Sequence, residues 1–202
     1  LLTERYRVRL YFRETPKVGV FPGAEQRVIP FPRLWTHLRL SWEMVRCPPD
    51  LLFVPAHVLP LVRPRKTLVT VHDVGYLYFP EAHPAQQRRY LDWSTRWNVR
   101  VATRVLADSN ATRDAIVDAY RVPVEKITVV YPGYDSALSP TSDPELLAAV
   151  RARYNILGDY ILALGRIQPR KNLSRLVGAF ARICSCYPDV TPVSYTHLTL
   201  PT

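Results

Sequence analysis

The sequence predicts an α/β protein built on a doubly wound, mainly parallel sheet, followed by the opening of a second domain of the same kind. Three observations carry this. Short apolar runs of strand length, at 51–55, 67–71, 104–107 and 126–131, alternate with helical patterns, the arrangement that gives a parallel sheet with crossover helices. Pro132, Gly133, Pro140 and Pro144, mixed with Ser and Asp, then give the composition of an interdomain connection. Beyond it a new apolar run, Tyr160–Leu164, ends abruptly in Gly165 and a cluster of fixed positive charge, and a helical pattern over 172–187 follows.

Each element has its own warrant. Tyr6–Phe12 is rich in aromatic and branched residues, which favour a strand. Two Pro and two Gly make 15–23 a loop, and 27–31 is a short strand. Leu34, Trp35, Leu38, Trp42 and Val45 fall on one helical face, ended by Pro48 and Pro49. After the strands at 51–55 and 67–71, a loop at 80–84 leads into a long helix over 85–103. Its stripe of Tyr90, Trp93, Trp97 and Val101 reads as core. Asp108-Ser109 supplies an N-cap after the strand at 104–107, ahead of a helix over 110–120. A short helix over 145–154 precedes Tyr160–Leu164, whose unbroken apolar character predicts burial on both faces. The expected division is a first domain over 1–135, a linker and short helix over 136–155, and the start of a second domain over 156–192.

Composition narrows the functional classes. A chain of 202 residues that is 48% hydrophobic and 22% charged is globular. No apolar run approaches the ~20 residues of a bilayer span, and no basic-then-apolar leader opens the sequence. The expected location is cytoplasmic. The net charge of +10 points to anionic partners, including a peripheral contact with the anionic inner face of a membrane. Its basic residues lack the interleaved aromatics of a single-strand binder, so nucleic acid is not expected. Cys47, Cys184 and Cys186 have neither an even count nor a nearby His to complete a zinc pattern, and read as free, mostly buried thiols. Gly-rich dinucleotide loops, Walker loops, H-E-x-x-H and G-x-S-x-G are absent from the sequence.

Two constellations carry chemistry. Gly165 permits a tight turn, Arg166 offers a planar fork and Lys171 a point charge, and the following helix adds partial positive charge, together suited to a diphosphate. The competing reading is a solvated basic turn. Val69-Thr70-Val71-His72-Asp73 sets an imidazole and a carboxylate at the carboxyl end of a strand, the edge where ligands sit in open α/β sheets. Here the competing reading is that Asp73 caps the next turn. His57 follows another strand and is a weaker candidate for the same edge.

These segments resemble the retaining glycosyltransferases of the GT-B type, the large family four. Gly165–Asn172 is similar to the family's G-R-x-x-x-x-K-N loop, Thr70–Asp73 to its T-V-H-D segment, and Asp108–Thr112 to its D-S-x-x-T segment. Residues 132–135 resemble N-G-V-D with Pro132 in place of the Asn, while Gly133 and Asp135 still fit the turn into the linker. The resemblance covers about residues 1–190 and implies two Rossmann-like domains. It implies transfer of a sugar from a nucleotide-diphosphate sugar to a sugar or lipid-linked acceptor hydroxyl with retained configuration. Arg166 and Lys171 would hold the diphosphate, His72 would face the donor sugar, and neither cofactor nor metal is expected. A nucleotide-sugar epimerase of the same architecture, and a non-catalytic basic module binding anionic lipid or nucleic acid, are the alternatives. Residues 193–202 match translated transposase-adapter DNA, so they are expected to be non-native. The chain is accordingly expected to be an internal fragment, inactive by itself.

Overall fold

The computed structural model describes residues 2–17, 21–56, 58–165 and 167–195. Contacts group the chain into two units, Leu1–Tyr78 with Ala85–Pro132, and Phe79–Pro84 with Gly133–Thr202.

The first unit opens with a short helix α1 (Leu2–Arg5) and two parallel strands, β1 (Arg9–Phe12) and β2 (Glu25–Val28). Their register sets Arg9 opposite Glu25, and the Arg9 guanidinium meets the carboxylate at 2.9 Å, a cross-strand ion pair. A π-helical turn, Trp35–Leu40, runs directly into α2 (Ser41–Arg46). The wider turn changes the helical phase, so the expected apolar stripe does not become the buried face. Leu40, Glu43 and Met44 are buried instead, whereas Leu38, Trp42 and Val45 are exposed. Arg27 and Arg39 pair with the buried Glu43 carboxylate at 2.8 and 3.2 Å, which offsets the cost of its burial.

Four strands then form one parallel sheet in the order β3 (Leu51–Val54), β4 (Lys66–Val71), β5 (Arg104–Ala107), β6 (Ile127–Val129). The register aligns Leu52 with Thr67, and Val69 with Val105, so these side chains and Val54, Val71, Ala107 and Ile127 make one buried face. On the opposite face Leu51 and Phe53 are each 46% exposed, so β3, although apolar throughout, is buried on one side only. Between β4 and β5 lie α3 (Gly75–Tyr78) and α4 (Ala85–Val101); α5 (Asn110–Tyr120) joins β5 to β6.

The α4 stripe is half borne out: Trp97 and Val101 pack, partly buried, against the core, and the other two residues do not. Tyr90 and Trp93 are exposed, while Ser94, Thr95, Asn98 and Val99 are buried. The reason lies in residues 58–60, which are buried outside any strand and need backbone partners. Asn98 Oδ1 accepts from the Leu59 amide at 2.8 Å, and Trp97 Nε1 donates to the Leu59 carbonyl at 3.2 Å.

The second unit contains α6 (Pro144–Arg153), β7 (Tyr160–Leu164), α7 (Leu173–Ile183) and β8 (Thr191–Tyr195), with β7 and β8 parallel. Strand β8 includes residues 193–195 of the decapeptide set apart by sequence. Asp143 caps α6 by accepting from the Glu145 amide at 3.0 Å. Burial of β7 on both faces is not observed: Leu162 is 52% and Leu164 69% exposed. A two-stranded sheet supplies too little cover, and among the described residues of this unit only Ile156 is buried. Cys184 and Cys186 are exposed as well, contrary to the expected mostly buried thiols, and Cys47 is half-buried.

Candidate functional site

The carboxyl edge of the four-stranded sheet carries a set of mutually bonded polar groups. The last register pair of β4 and β5 is Val71 with Ala107, so the next residues, His72 and Asp108, leave neighbouring strands side by side. Parallel strands lie about 4.8 Å apart, within reach of one short side-chain bond. His72 Nδ1 lies 2.7 Å from Asp108 Oδ2, in the charge-assisted range for an imidazole N–H donating to a carboxylate. The His72 side chain is 56% exposed and that of Asp108 26%.

The backbone beneath them is fixed by the first turn of α5. Ser109 is its N-cap, in extended conformation, with Oγ accepting from the Thr112 amide at 3.1 Å. Thr112 Oγ1 in turn donates to the His72 carbonyl at 3.1 Å. Asn110 Nδ2 donates to the Tyr131 hydroxyl at 3.0 Å, which brings the second residue beyond β6 to the same edge. Asp73, the sequence neighbour of His72, serves its own turn: Oδ1 accepts from the Gly75 amide at 2.8 Å. A side chain at Gly75 would begin 3.1 Å from that oxygen, closer than ordinary packing allows. Beyond the turn, the buried hydroxyls of Tyr76 and Tyr120 are 2.6 Å apart, and Tyr120 donates to Asp92 at 2.9 Å, anchoring α3 to α4 and α5. Burial pushes the titration of both phenols up.

In the second unit, β7 hands over to Gly165, whose φ of 143° is in the range that disfavours a side chain. The Lys171 side chain folds back over it, with Cε 3.6 Å and Nζ 4.0 Å from where a Cβ would stand on Gly165. A 3₁₀ turn, Pro169–Lys171, and a left-handed Asn172 (φ 54°) then start α7. The structure thus brings together Gly165 and Lys171, two of the three predicted diphosphate residues. Arg166 lies outside the described residues, as does His57. Gly133 has open space around it, and Asp135 caps a local turn by accepting from the Ala137 amide at 2.9 Å.

Sequence reasoning placed Asp108 in an N-cap and in the D-S-x-x-T segment but not beside His72, and it gave Asn110 and Tyr131 no role at this edge. The usable signal was strand order: once β4 and β5 are neighbours, strand-end residues 72 and 108 must adjoin. Among the described residues no three His, Cys, Asp or Glu side chains converge on a metal site, and no helix is long and apolar enough to cross a membrane.

The architecture is that of the α/β, Rossmann-like GT-B fold with two sub-domains. Anabaena Alr3699/HepE, solved in complex with UDP-glucose, superposes with a TM-score of 0.57 at 21% identity, covering 85% of this chain and 47% of that one. The profile of Glycosyltransferase Family 4 matches residues 1–138, and the chain belongs to this family. O-antigen chain mannosyltransferase B of Escherichia coli is 27% identical over 118 residues, 58% of this chain and 31% of that protein. O-antigen chain mannosyltransferase RfbU of Salmonella typhimurium is 28% identical over 122 residues, 60% of this chain and 30% of that protein. A D-inositol 3-phosphate glycosyltransferase of Kineococcus radiotolerans is 37% identical over 87 residues, 42% and 20% of the two chains. The chain therefore spans about a third of the length of the two mannosyltransferases it matches.

Proposed function

We propose that this chain contributes the acceptor-side domain and the start of the donor domain of a retaining glycosyltransferase. The enzyme moves a sugar from a nucleotide-diphosphate donor to the hydroxyl of a sugar or lipid-linked acceptor. Arg166 and Lys171 hold the diphosphate and offset the charge that develops on it as the glycosidic bond breaks. His72 faces the donor sugar from the carboxyl edge of the sheet, and Gly133 and Asp135 shape the turn between the domains. Mannosyltransferases among the relatives support a hexose donor. The observation that carries the reading is the loop after β7 in a family 4 chain: a strand end, a glycine at φ 143°, and a lysine folded over it.

The test is steady-state kinetics of the full-length protein with a panel of nucleotide-sugars, following release of nucleoside diphosphate. Lys171→Ala and Arg166→Ala should each weaken donor use roughly tenfold or more, since a hydrogen bond to a charged group contributes about 1.5–3 kcal/mol. Unchanged donor kinetics in both variants removes the diphosphate assignment. Turnover without an acceptor, returning an isomerised nucleotide-sugar, would assign the epimerase chemistry instead.

A further inference from the structure

We infer that Asp108 is a positioning residue that locks the His72 ring with its proton on Nδ1, leaving Nε2 as the ring atom free to engage a ligand. Its consequence for catalysis rests on the transferase reading; the tautomer itself does not. An ionised carboxylate has no hydrogen to give, so the 2.7 Å contact requires the proton to sit on Nδ1. Nε2 of the neutral ring is then a lone-pair acceptor, able to take a hydrogen bond from a hydroxyl, the group a sugar presents in greatest number. Among the described residues no other side chain bonds the ring. Asp73, adjacent in sequence, is engaged with the Gly75 amide.

The supports of Asp108 explain why it can hold an exposed imidazole. It immediately precedes the Ser109 N-cap of α5, where the positive end of the helix dipole favours negative charge. The same helix turn grips the backbone of His72 through Thr112 Oγ1. Ring and main chain of His72 are thus both tied to the short stretch Asp108–Thr112 that opens α5, from two directions. A His72 held only by its backbone would keep its place but sample both tautomers and more than one ring orientation. A freely turning ring would meet the ligand in the wrong state for part of the time, and misplacement of a reacting partner by about 1 Å costs on the order of 10²-fold in rate.

Long-range proton–nitrogen correlation spectra of ¹⁵N-histidine-labelled protein test this directly, with His72→Ala assigning the resonance. The neutral ring should carry its proton on Nδ1 in the unmodified protein, and shift toward the Nε2-protonated form in Asp108→Ala. An unchanged tautomer in that variant overturns the inference. Asp108→Asn, nearly isosteric, guards against misfolding and serves for kinetics on the full-length protein. It should lower kcat roughly 10-fold to 10²-fold with donor KM little changed, and have no further effect in a His72→Ala background. A loss that is equally large when His72 is already absent shows that Asp108 does not act through the ring, and overturns the inference. If the unmodified protein transfers no sugar at all, the transferase reading fails while the spectra still decide the tautomer.

Discussion

At the scale of the residue, the molecule is organised by polar side chains whose partners lie far off in sequence. His72 and Asp108 are 36 positions apart, and so are the mutually bonded Thr67 and Thr103, which is why neither pair is visible in a linear motif. The His72-Asp73 dipeptide drew attention in the sequence, yet its carboxylate caps a turn, the plainer of the two readings. His37 gives a titratable consequence. Its ring packs edge-on against Tyr90 at 6.3 Å and lies 5.6 Å from Trp93, its Nε2 meets the Tyr90 hydroxyl at 3.2 Å, and Nδ1 is buried with no partner among the described residues. Burial pushes the imidazole below its ordinary value of 6.5. The folded state therefore prefers the neutral ring, and the unfolded chain binds the extra proton first as pH falls. This contribution to stability is complete above pH 6.5 and is lost progressively below it. Urea midpoints measured at about pH 7.5 and about pH 5 should differ less in His37→Phe than in the unmodified protein. Equal differences in the two proteins would show that the ring does not govern the slope.

At the scale of the element, strands and caps were more legible than helix faces. The limits of β5 and β7, and the Ser109 cap of α5, follow from sequence because they depend on local chemistry: an apolar run, a terminator, a hydroxyl before a helix. The helix faces failed because they depend on what lies opposite. The buried side of α4 is chosen by the backbone of Leu59, which needs the Asn98 amide, so Tyr90 and Trp93 turn outward while Trp97 stays against the core. In α2 the π turn that precedes it rotates the pattern, an event that periodicity counted at 3.6 residues does not register. The α4 account makes a quantitative claim. Asn98→Leu retains volume and adds apolar surface, but orphans a buried amide, so stability should fall by about 1–3 kcal/mol in urea denaturation. A neutral or stabilising result would mean that Leu59 finds another partner and that helix amphipathicity alone set the face.

At the scale of the whole molecule, the two units differ sharply in how much they bury. The first has a continuous core running from Ile29 through Val69 and Val105 to Ile127; the second buries only Ile156 among its described residues. Opening free energy follows buried apolar contact, so native-state hydrogen exchange should separate them. Amides of β4 and β5 should exchange only through global unfolding, and those of β7 and β8 much faster. Equal protection in the two sheets would show that the second unit is stabilised independently of its own core. The four-stranded sheet has one further property, which concerns time rather than stability. Its strands stand in space in the order in which they occur in the chain, β3, β4, β5, β6. A polypeptide emerging from the ribosome can lay each strand on the edge left by its predecessor, and no strand has to be inserted between two already paired. Each addition closes only the connection between consecutive strands, a modest and recurring entropic step. The sheet can thus be assembled vectorially during synthesis, with Asp108 delivered beside a His72 already in place.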